Sequence, residues 1–348
     1  MRRVSPHGIP FLRAMVAARR PSGRAVALGP LAVAVAVGVL LLVTVLRGSP
    51  APEPATPPGP RVVANVTLGD ALGPSATPGF GALWLTDSSR GDVLRVDPRT
   101  RRVTKRVPVG SEVALATSAG SVWALPRGPG YEGGPLLRIG PGTGRTIARI
   151  SLQTAAGGPF RGGSLIVAGP RVWVLGATGA VAVDPARDSV VAAIRLGGSF
   201  TVTDALVHDG VLWLTRGDRS ITRFDGRTGR RLGRVPWQRN AFLVPFGHDF
   251  IAVTKRSIAL VDPRTGRAAW HRPLGTELHD ARVTGSRVFV EGGDGPAAAR
   301  DRIWALDART GRIAGAITMP EFGPVGMVAV GRGVWLLTAG GRAVVVEP

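Results

Sequence analysis

The chain of 348 residues contains no cysteine. This absence excludes disulfide bonds, thiolate catalysis, cysteine-ligated metals and a lipid anchor on cysteine. Lysine is nearly absent, since only Lys105 and Lys255 stand among 44 basic residues, and tyrosine occurs once, at Tyr131. The sequence also shows no Gly-rich phosphate-binding loop, nucleophile elbow, haem motif or acidic calcium cluster. The sequence therefore gives no motif-based reason to expect an enzyme of the classes that these motifs mark.

Four stretches of ten residues are nearly the same. Residues 91–100 read GDVLRVDPRT, residues 220–229 read SITRFDGRTG, residues 257–266 read SIALVDPRTG and residues 302–311 read RIWALDARTG. An Asp side chain that accepts a backbone N–H two residues on starts a turn, and a glycine such as Gly266 permits a positive φ. Because apolar residues resume directly afterwards, the repeat predicts a β-hairpin with the turn D-x-R-T-G.

Two series of positions recur seven times along the chain. A short apolar strand precedes each hairpin, and its central position is aromatic in six of the seven cases. Each strand is followed by a turn position, and successive turn positions are 43, 44, 41, 37, 45 and 40 residues apart. The strand positions are Trp84, Trp123, Trp173, Trp213, Ala252, Phe289 and Trp335, and the turn positions are Asp97, Gly140, Asp184, Asp225, Asp262, Asp307 and Glu347. A period of this length, built from strands alone, predicts an all-β, seven-bladed β-propeller with strands A to D in each blade.

The seventh unit stops before its last strand. Its strand C is residues 343–347, and the chain ends at Pro348. Residues 61–69, which read RVVANVTLG, resemble a strand D and precede the first Trp strand. We therefore predict that residues 62–69 complete the seventh blade and close the ring, which removes exposed sheet edges.

The repeat resembles known propeller families. LVDPRTGRAAW at residues 260–270 resembles the Trp-docking repeat of pyrroloquinoline-quinone-type (PQQ-like) propellers, and ALDARTG at 305–311 resembles it in part. The wider pattern is similar to YVTN-type repeats. The resemblance covers residues 61–348. It implies the architecture only, because these families include dehydrogenases, lyases, assembly factors and binding scaffolds.

The N-terminal part of the chain has a different character. Residues 25–46 carry no charge, and a helix of that length spans about 33 Å, enough for a bilayer core. Six arginines and no acidic residue precede it, so the positive-inside rule predicts a cytoplasmic N-terminus. We expect a basic cytoplasmic segment at 1–24, a retained transmembrane helix at 25–46 rather than a cleaved signal peptide, a Pro-rich linker at 47–60 and an extracytoplasmic propeller at 61–348.

The formal net charge is +21, and residues 61–348 contribute +15 of it, with 37 basic and 22 acidic residues. Attraction to anionic lipids or cell-wall polyanions is one interpretation of this excess. A coding preference for Arg over Lys is the interpretation that we favour. Because the arginines are spread along the chain and the propeller is expected outside the cytoplasm, no nucleic-acid partner is predicted.

Candidate binding residues fall on one face of the predicted ring. The D–A and B–C connections share that face, and those at 126–135, 153–163 and 292–301 are long. Polar residues there or at the start of strand A are the candidates for binding: Glu112, Tyr131, Asp204 and Asp280.

One pair of residues is a candidate for catalysis. Virginiamycin B lyases are seven-bladed too, and Glu277 and His279 match the Glu-x-His spacing of their catalytic pattern. Those enzymes also use a histidine one blade earlier, where this chain reads QRNAFLV at 238–244. The resemblance implies an alternative function, an extracytoplasmic lyase or hydrolase at the channel mouth.

The favoured interpretation is a membrane-anchored binding or scaffold module rather than an enzyme. Its ligand would be a protein, a cell-wall glycan or a small molecule. We expect a monomeric propeller without a cofactor, attached to the membrane by residues 25–46.

Overall fold

The computed structural model describes residues 59–127, 134–152, 163–176, 179–195, 202–216, 220–236, 241–293, 300–320 and 324–348. These residues form 28 strands in seven antiparallel four-stranded sheets. The all-β, seven-bladed propeller is therefore confirmed.

Blades 1 to 6 each consist of four consecutive strands, paired in sequence order. Blade 1 has β2 (Leu72–Gly79), β3 (Ala82–Asp87), β4 (Asp92–Asp97) and β5 (Arg102–Pro108), and blade 2 has β6 (Ala114–Ser118), β7 (Ser121–Leu125), β8 (Leu136–Ile139) and β9 (Thr146–Ile150). Blade 3 has β10 (Ser164–Ala168), β11 (Arg171–Leu175), β12 (Gly179–Asp184) and β13 (Ser189–Arg195), and blade 4 has β14 (Val202–His208), β15 (Val211–Arg216), β16 (Ser220–Asp225) and β17 (Arg231–Pro236). Blade 5 has β18 (Phe242–Phe246), β19 (Asp249–Val253), β20 (Ser257–Val261) and β21 (Ala268–Pro273), and blade 6 has β22 (Glu277–Thr284), β23 (Arg287–Gly293), β24 (Arg300–Asp307) and β25 (Ile313–Pro320).

Blade 7 joins the two ends of the propeller. It contains β26 (Pro324–Val330), β27 (Gly333–Thr338), β28 (Arg342–Glu347) and the strand β1 (Arg61–Thr67), in the order β1-β28-β27-β26. The register of β1 on β28 runs from Arg61 opposite Glu347 to Thr67 opposite Arg342. The predicted closing strand is therefore confirmed, and it occupies the outer position D of the last blade.

The inner strands form a closed ring. Each strand A contacts the strand A of the next blade, and β26 of blade 7 contacts β2 of blade 1. Hydrophobic clusters fill the space between neighbouring blades, and all seven predicted strand B positions, from Trp84 to Trp335, are buried in them. The repeated apolar strand is thus a packing device, which explains why six of its seven positions are aromatic.

The repeated turn has the hydrogen bonds that its sequence predicts. The Asp262 carboxylate accepts the N–H of Arg264 at 2.7 Å and the hydroxyl of Thr265 at 2.9 Å. Gly266 donates its N–H to the carbonyl of Asp262 at 2.8 Å with φ of 68°. Asp225 and Asp307 make the same bonds in their own turns. The Asp side chain therefore holds the backbone of these three turns.

One tryptophan shows the docking that the PQQ-like resemblance implies. The Nε1 of Trp270 in blade 5 donates to the carbonyl of Ala308 in the C–D turn of blade 6 at 3.1 Å. A Cβ at Gly311 in that turn would lie 2.6 Å from the Trp270 ring. In blade 1, Lys105 makes an analogous contact, because its Nζ donates to the carbonyls of Gly142 and Thr143 in blade 2. Outer strands thus tie each of these blades to the next.

Replacing Arg101 with glycine is expected to stabilise the propeller. Arg101 stands where the turns of blades 2, 4, 5 and 6 have glycine, and its φ is 58°. A left-handed backbone costs a non-glycine residue about 1–2 kcal/mol, and the greater unfolded-state freedom of glycine offsets about half of that. We expect Arg101→Gly to raise the melting temperature by about 2 °C. The reverse change, Gly266→Arg, should lower it, and shifts of the same sign would contradict the explanation.

The turn aspartates make stability fall in acid. Hydrogen bonds from the turn, first the amide of Arg264 and then the Thr265 hydroxyl, hold the pKa of Asp262 below its usual value, and turn donors do the same for Asp97 and Asp225. A carboxyl group whose folded-state pKa is depressed adds stability above the unfolded pKa of about 3.9, and that stability disappears as the pH falls through the folded-state pKa.

A triple variant tests this pH dependence. Asp97→Asn, Asp225→Asn and Asp262→Asn together keep an acceptor oxygen in each turn and remove the charge. We expect the triple variant to melt below the wild type at pH 6 and at the same temperature near pH 2. A difference in melting temperature that does not change with pH would show that the charge contributes nothing.

The predicted membrane helix at 25–46 lies outside the described residues. Within the part of the chain that the structure describes, no helix is long and apolar enough to cross a bilayer.

Candidate functional site

The starts of the seven A strands and the ends of the B strands lie on one side of the ring, which we call the mouth face. Consecutive blades repeat the same up-and-down strand order, so equivalent strand ends share a face. Glu112 lies two residues before the start of β6, and Glu277 is the first residue of β22. The D-x-R-T-G turns connect strands C and D, so they lie on the opposite face.

A cavity of about 560 Å³ opens on the mouth face between blades 1, 2 and 3. Its wall contains the exposed Glu112, the half-buried Arg127, and the hydroxyl-bearing residues Ser75, Thr86 and Ser88. Apolar residues, among them Val113, Leu115 and Leu165, also line the cavity. Pockets that bind ligands combine a mainly apolar wall with a few polar groups in this way. Glu112, predicted from its place before strand A, therefore lies in the wall of a concave site.

A second group of polar residues lies in blade 6. Leu278 pairs with Gly292 and Asp280 pairs with Glu291, so a β-bulge falls at His279. The donor atoms of His279, Glu291 and Asp301 all lie within 4.8 Å of one another. These three residues, which we call the blade 6 cluster, come from strands A, B and C of one sheet.

The carboxyl groups of the blade 6 cluster are held away from water. Burial raises the pKa of Glu291 to about 8, and the neighbouring charges of Asp280 and Asp301 act in the same direction. Burial also raises the pKa of Asp301, although His279 opposes the shift. His279 is accessible to solvent, and its Nδ1 lies 3.5 Å from Oε1 of Glu291. The cluster is thus a buried acidic pair beneath an exposed imidazole.

Glu277 and His279, the predicted catalytic pair, have different partners. Glu277 Oε2 forms an ion pair with Nζ of Lys255 at 3.2 Å, whereas His279 faces Glu291. Residues two apart in a regular strand point to the same side, but the bulge interrupts this alternation between Leu278 and Asp280. The spacing in the sequence therefore does not place the two side chains in contact with each other.

The predicted binding residue Asp280 has a structural set of contacts. Its Oδ2 accepts the N–H of Met327 in blade 7 at 3.1 Å, and its Oδ1 accepts the N–H of Ala281 at 2.7 Å and a guanidinium N–H of Arg282. Burial raises its pKa in spite of the Arg282 charge. Asp280 thus links blade 6 to blade 7.

The structure does not describe the side chains of two predicted binding residues, Tyr131 and Asp204. Tyr131 lies outside the described residues. Asp204 lies in β14, where its backbone pairs with Thr215 after a bulge like that at His279, and its side chain is not among those described.

Sequence reasoning missed Glu291 and Asp301. The signal in the sequence was the acidic residue in RVFVEGG at 287–293, since the other B strands are apolar or carry threonine at the corresponding place. Finding the cluster needed the register of β22, β23 and β24, which the sequence alone does not supply.

The architecture is that of a seven-bladed propeller, and the contact of Trp270 with Ala308 is of the kind that the resemblance to PQQ-like repeats implies. The sequence profile of the family described as "Outer membrane protein assembly factor BamB" matches residues 218–348. Among solved structures, BamB from Moraxella catarrhalis is similar to this chain, with a TM-score of 0.55 and 14% identity over 83% of this chain and 98% of that one. At this identity the likeness shows the fold alone. A comparison with curated protein sequences gives no match.

Proposed function

We propose that this protein is a membrane-anchored, extracytoplasmic propeller that binds a partner protein at its mouth face. The cavity between blades 1, 2 and 3 carries the proposal. Its volume lies within the range of about 300–1,000 Å³ that is typical of ligand pockets. An exposed loop or chain end of a partner would enter it, with Glu112 and Arg127 as polar contacts.

The comparisons support a protein partner over a small molecule. The matching family is described as an outer membrane protein assembly factor. The likeness to this family favours a scaffold that binds protein. The mouth face also carries the long connections, whereas the opposite face carries the repeated, internally hydrogen-bonded turns. Variable loops on a rigid ring are the usual location of a binding surface.

Site-specific photo-crosslinking tests the binding face. A photoreactive residue at position 112 or 88, in the full chain in its own membrane, should capture one partner. The same residue at Arg264, exposed on the opposite face, is the matched control. Capture from both faces alike, or from position 264 alone, would contradict the proposal.

The membrane topology has its own test. The charge-free segment 25–46 and the six arginines before it support an extracytoplasmic propeller. We expect a phosphatase that folds only outside the cytoplasm to be active when it is fused after Pro348. An inactive fusion, together with an active cytoplasmic reporter at the same position, would overturn the topology.

The lyase alternative receives less support, since Lys255 neutralises the Glu277 carboxylate that would act as the base. If a lyase activity is found, Glu277→Gln with His279→Ala should abolish it while the fold is kept. Unchanged activity in that double variant would exclude these two residues.

A further inference from the structure

The blade 6 cluster is unusual in a chain so rich in arginine. Three carboxyl groups, those of Asp280, Glu291 and Asp301, converge at one place where Arg282 is the charged neighbour of opposite sign. Asp280 already neutralises Arg282 through a direct ion pair. Among the side chains that the structure describes, Glu291 and Asp301 therefore have no cationic partner other than His279.

Glu291 has no hydrogen-bond donor within the described residues. Its side chain is 5% exposed, and its nearest polar partner is the His279 ring at 3.5 Å, beyond a normal hydrogen bond. A buried polar group without a donor is costly, and structures rarely keep one unless a ligand or ordered water satisfies it. The carboxylate points toward the donor atoms of His279 and Asp301, so a ligand at that point would contact all three residues.

We propose that His279, Glu291 and Asp301 bind one divalent transition-metal cation, with Zn²⁺ as the best match. One imidazole nitrogen and two carboxylate oxygens form a donor set that zinc accepts, whereas Mg²⁺ and Ca²⁺ prefer oxygen alone. Zinc ligands lie about 2.0–2.2 Å from the metal, so the donors must move closer together by about 1 Å. His279 is 37% exposed and can make this adjustment, and its exposure also gives the cation a path from solvent.

The two neighbouring acidic residues are poor ligands and serve as comparisons. Glu277 is engaged by Lys255, and both oxygens of Asp280 already accept hydrogen bonds. A cation at the proposed position would join β22, β23 and β24 at the mouth face. This site does not depend on the proposed partner protein, because the three ligands belong to one blade.

Calorimetric titration of the tag-free full chain with ZnCl₂ at neutral pH tests the site. We expect one zinc per chain, and we expect Glu291→Gln and His279→Ala each to weaken the affinity at least tenfold. MgCl₂ at the same concentrations should give no binding heat. Asp301→Asn should behave like the other two ligand variants.

Matched controls separate the cluster from general surface binding. Glu277→Gln removes an acidic residue on the same strand, and His248→Ala removes an exposed histidine that also faces a carboxylate, that of Asp209 at 3.4 Å. Both should leave the zinc affinity within twofold of the wild type. Zinc binding that survives Glu291→Gln, or that is lost in His248→Ala, would overturn the assignment. Thermal melts in EDTA verify that each variant is folded.

Discussion

A chain that begins at residue 71 is expected to melt roughly 10–20 °C below a chain that begins at residue 51, or not to fold at all. The shorter chain lacks β1, which pairs with β28 from Arg61 to Thr67. It also lacks Leu68, which is 3% exposed and packs in the cluster that joins blade 7 to blade 1. The deletion therefore opens a sheet edge and a blade interface together.

The size of this effect follows from the ladder hydrogen bonds and the apolar burial that the deletion removes. Each ladder hydrogen bond contributes about 1 kcal/mol net, and full burial of a leucine side chain contributes about 2 kcal/mol. A whole domain has a stability margin of about 5–15 kcal/mol. Loss of one complete strand thus removes a large share of that margin.

Thermal denaturation followed by tryptophan fluorescence measures the difference. The chain that begins at residue 51 is the control, and we expect it to form a folded propeller. Equal melting temperatures for the two chains would mean that β1 contributes little to ring closure.

The blade pattern could be predicted because each blade repeats its own local chemistry. The turn at Asp262 is held by residues of one hairpin, and the buried position of Trp84 lies in one short strand. Both features therefore appear in the sequence at a regular interval. The closing strand could be predicted for the same reason, since the seventh unit lacks a strand D and residues 62–69 supply one.

The candidate sites were harder to predict because they depend on pairing between strands. Glu112 was found from its place before strand A of blade 2. Its neighbours in the cavity wall lie elsewhere in the chain, because Ser88 follows strand B of blade 1 and Arg127 follows strand B of blade 2. A one-residue bulge at His279 decides that this residue faces Glu291 rather than Glu277. A period of about forty residues carries no information on such a shift.

The common architecture also explains why the fold does not select a function. Among solved structures, 1485 chains match this one, so the ring itself is shared widely. Blade-to-blade contacts such as Trp270 with Ala308 maintain the ring in this chain. The features that differ between blades, namely the cavity of blades 1 to 3 and the cluster of blade 6, therefore carry the functional argument.

Gly341→Ala is the point substitution that we expect to damage the ring most. The carbonyl of Gly341 accepts the N–H of Leu68 at 2.9 Å and of Gly69 at 3.2 Å, so it holds the end of the closing strand. A Cβ at this position would overlap the backbone carbonyl of Gly69, which cannot move without releasing β1. The φ of 76° adds the strain that any side chain meets there.

Gly331→Ala provides the matched control for Gly341→Ala. Gly331 lies in the same blade with φ of 61°, and a Cβ there would meet no atom within 4 Å. Its replacement should cost only the backbone strain of about 1 kcal/mol, or a melting temperature lower by about 2–4 °C. Gly341→Ala should lower it by about 10 °C or more and speed hydrogen exchange of the β1 amides, since the clash displaces that strand. Equal shifts for the two variants would show that left-handed strain, and not contact with the closing strand, governs both positions.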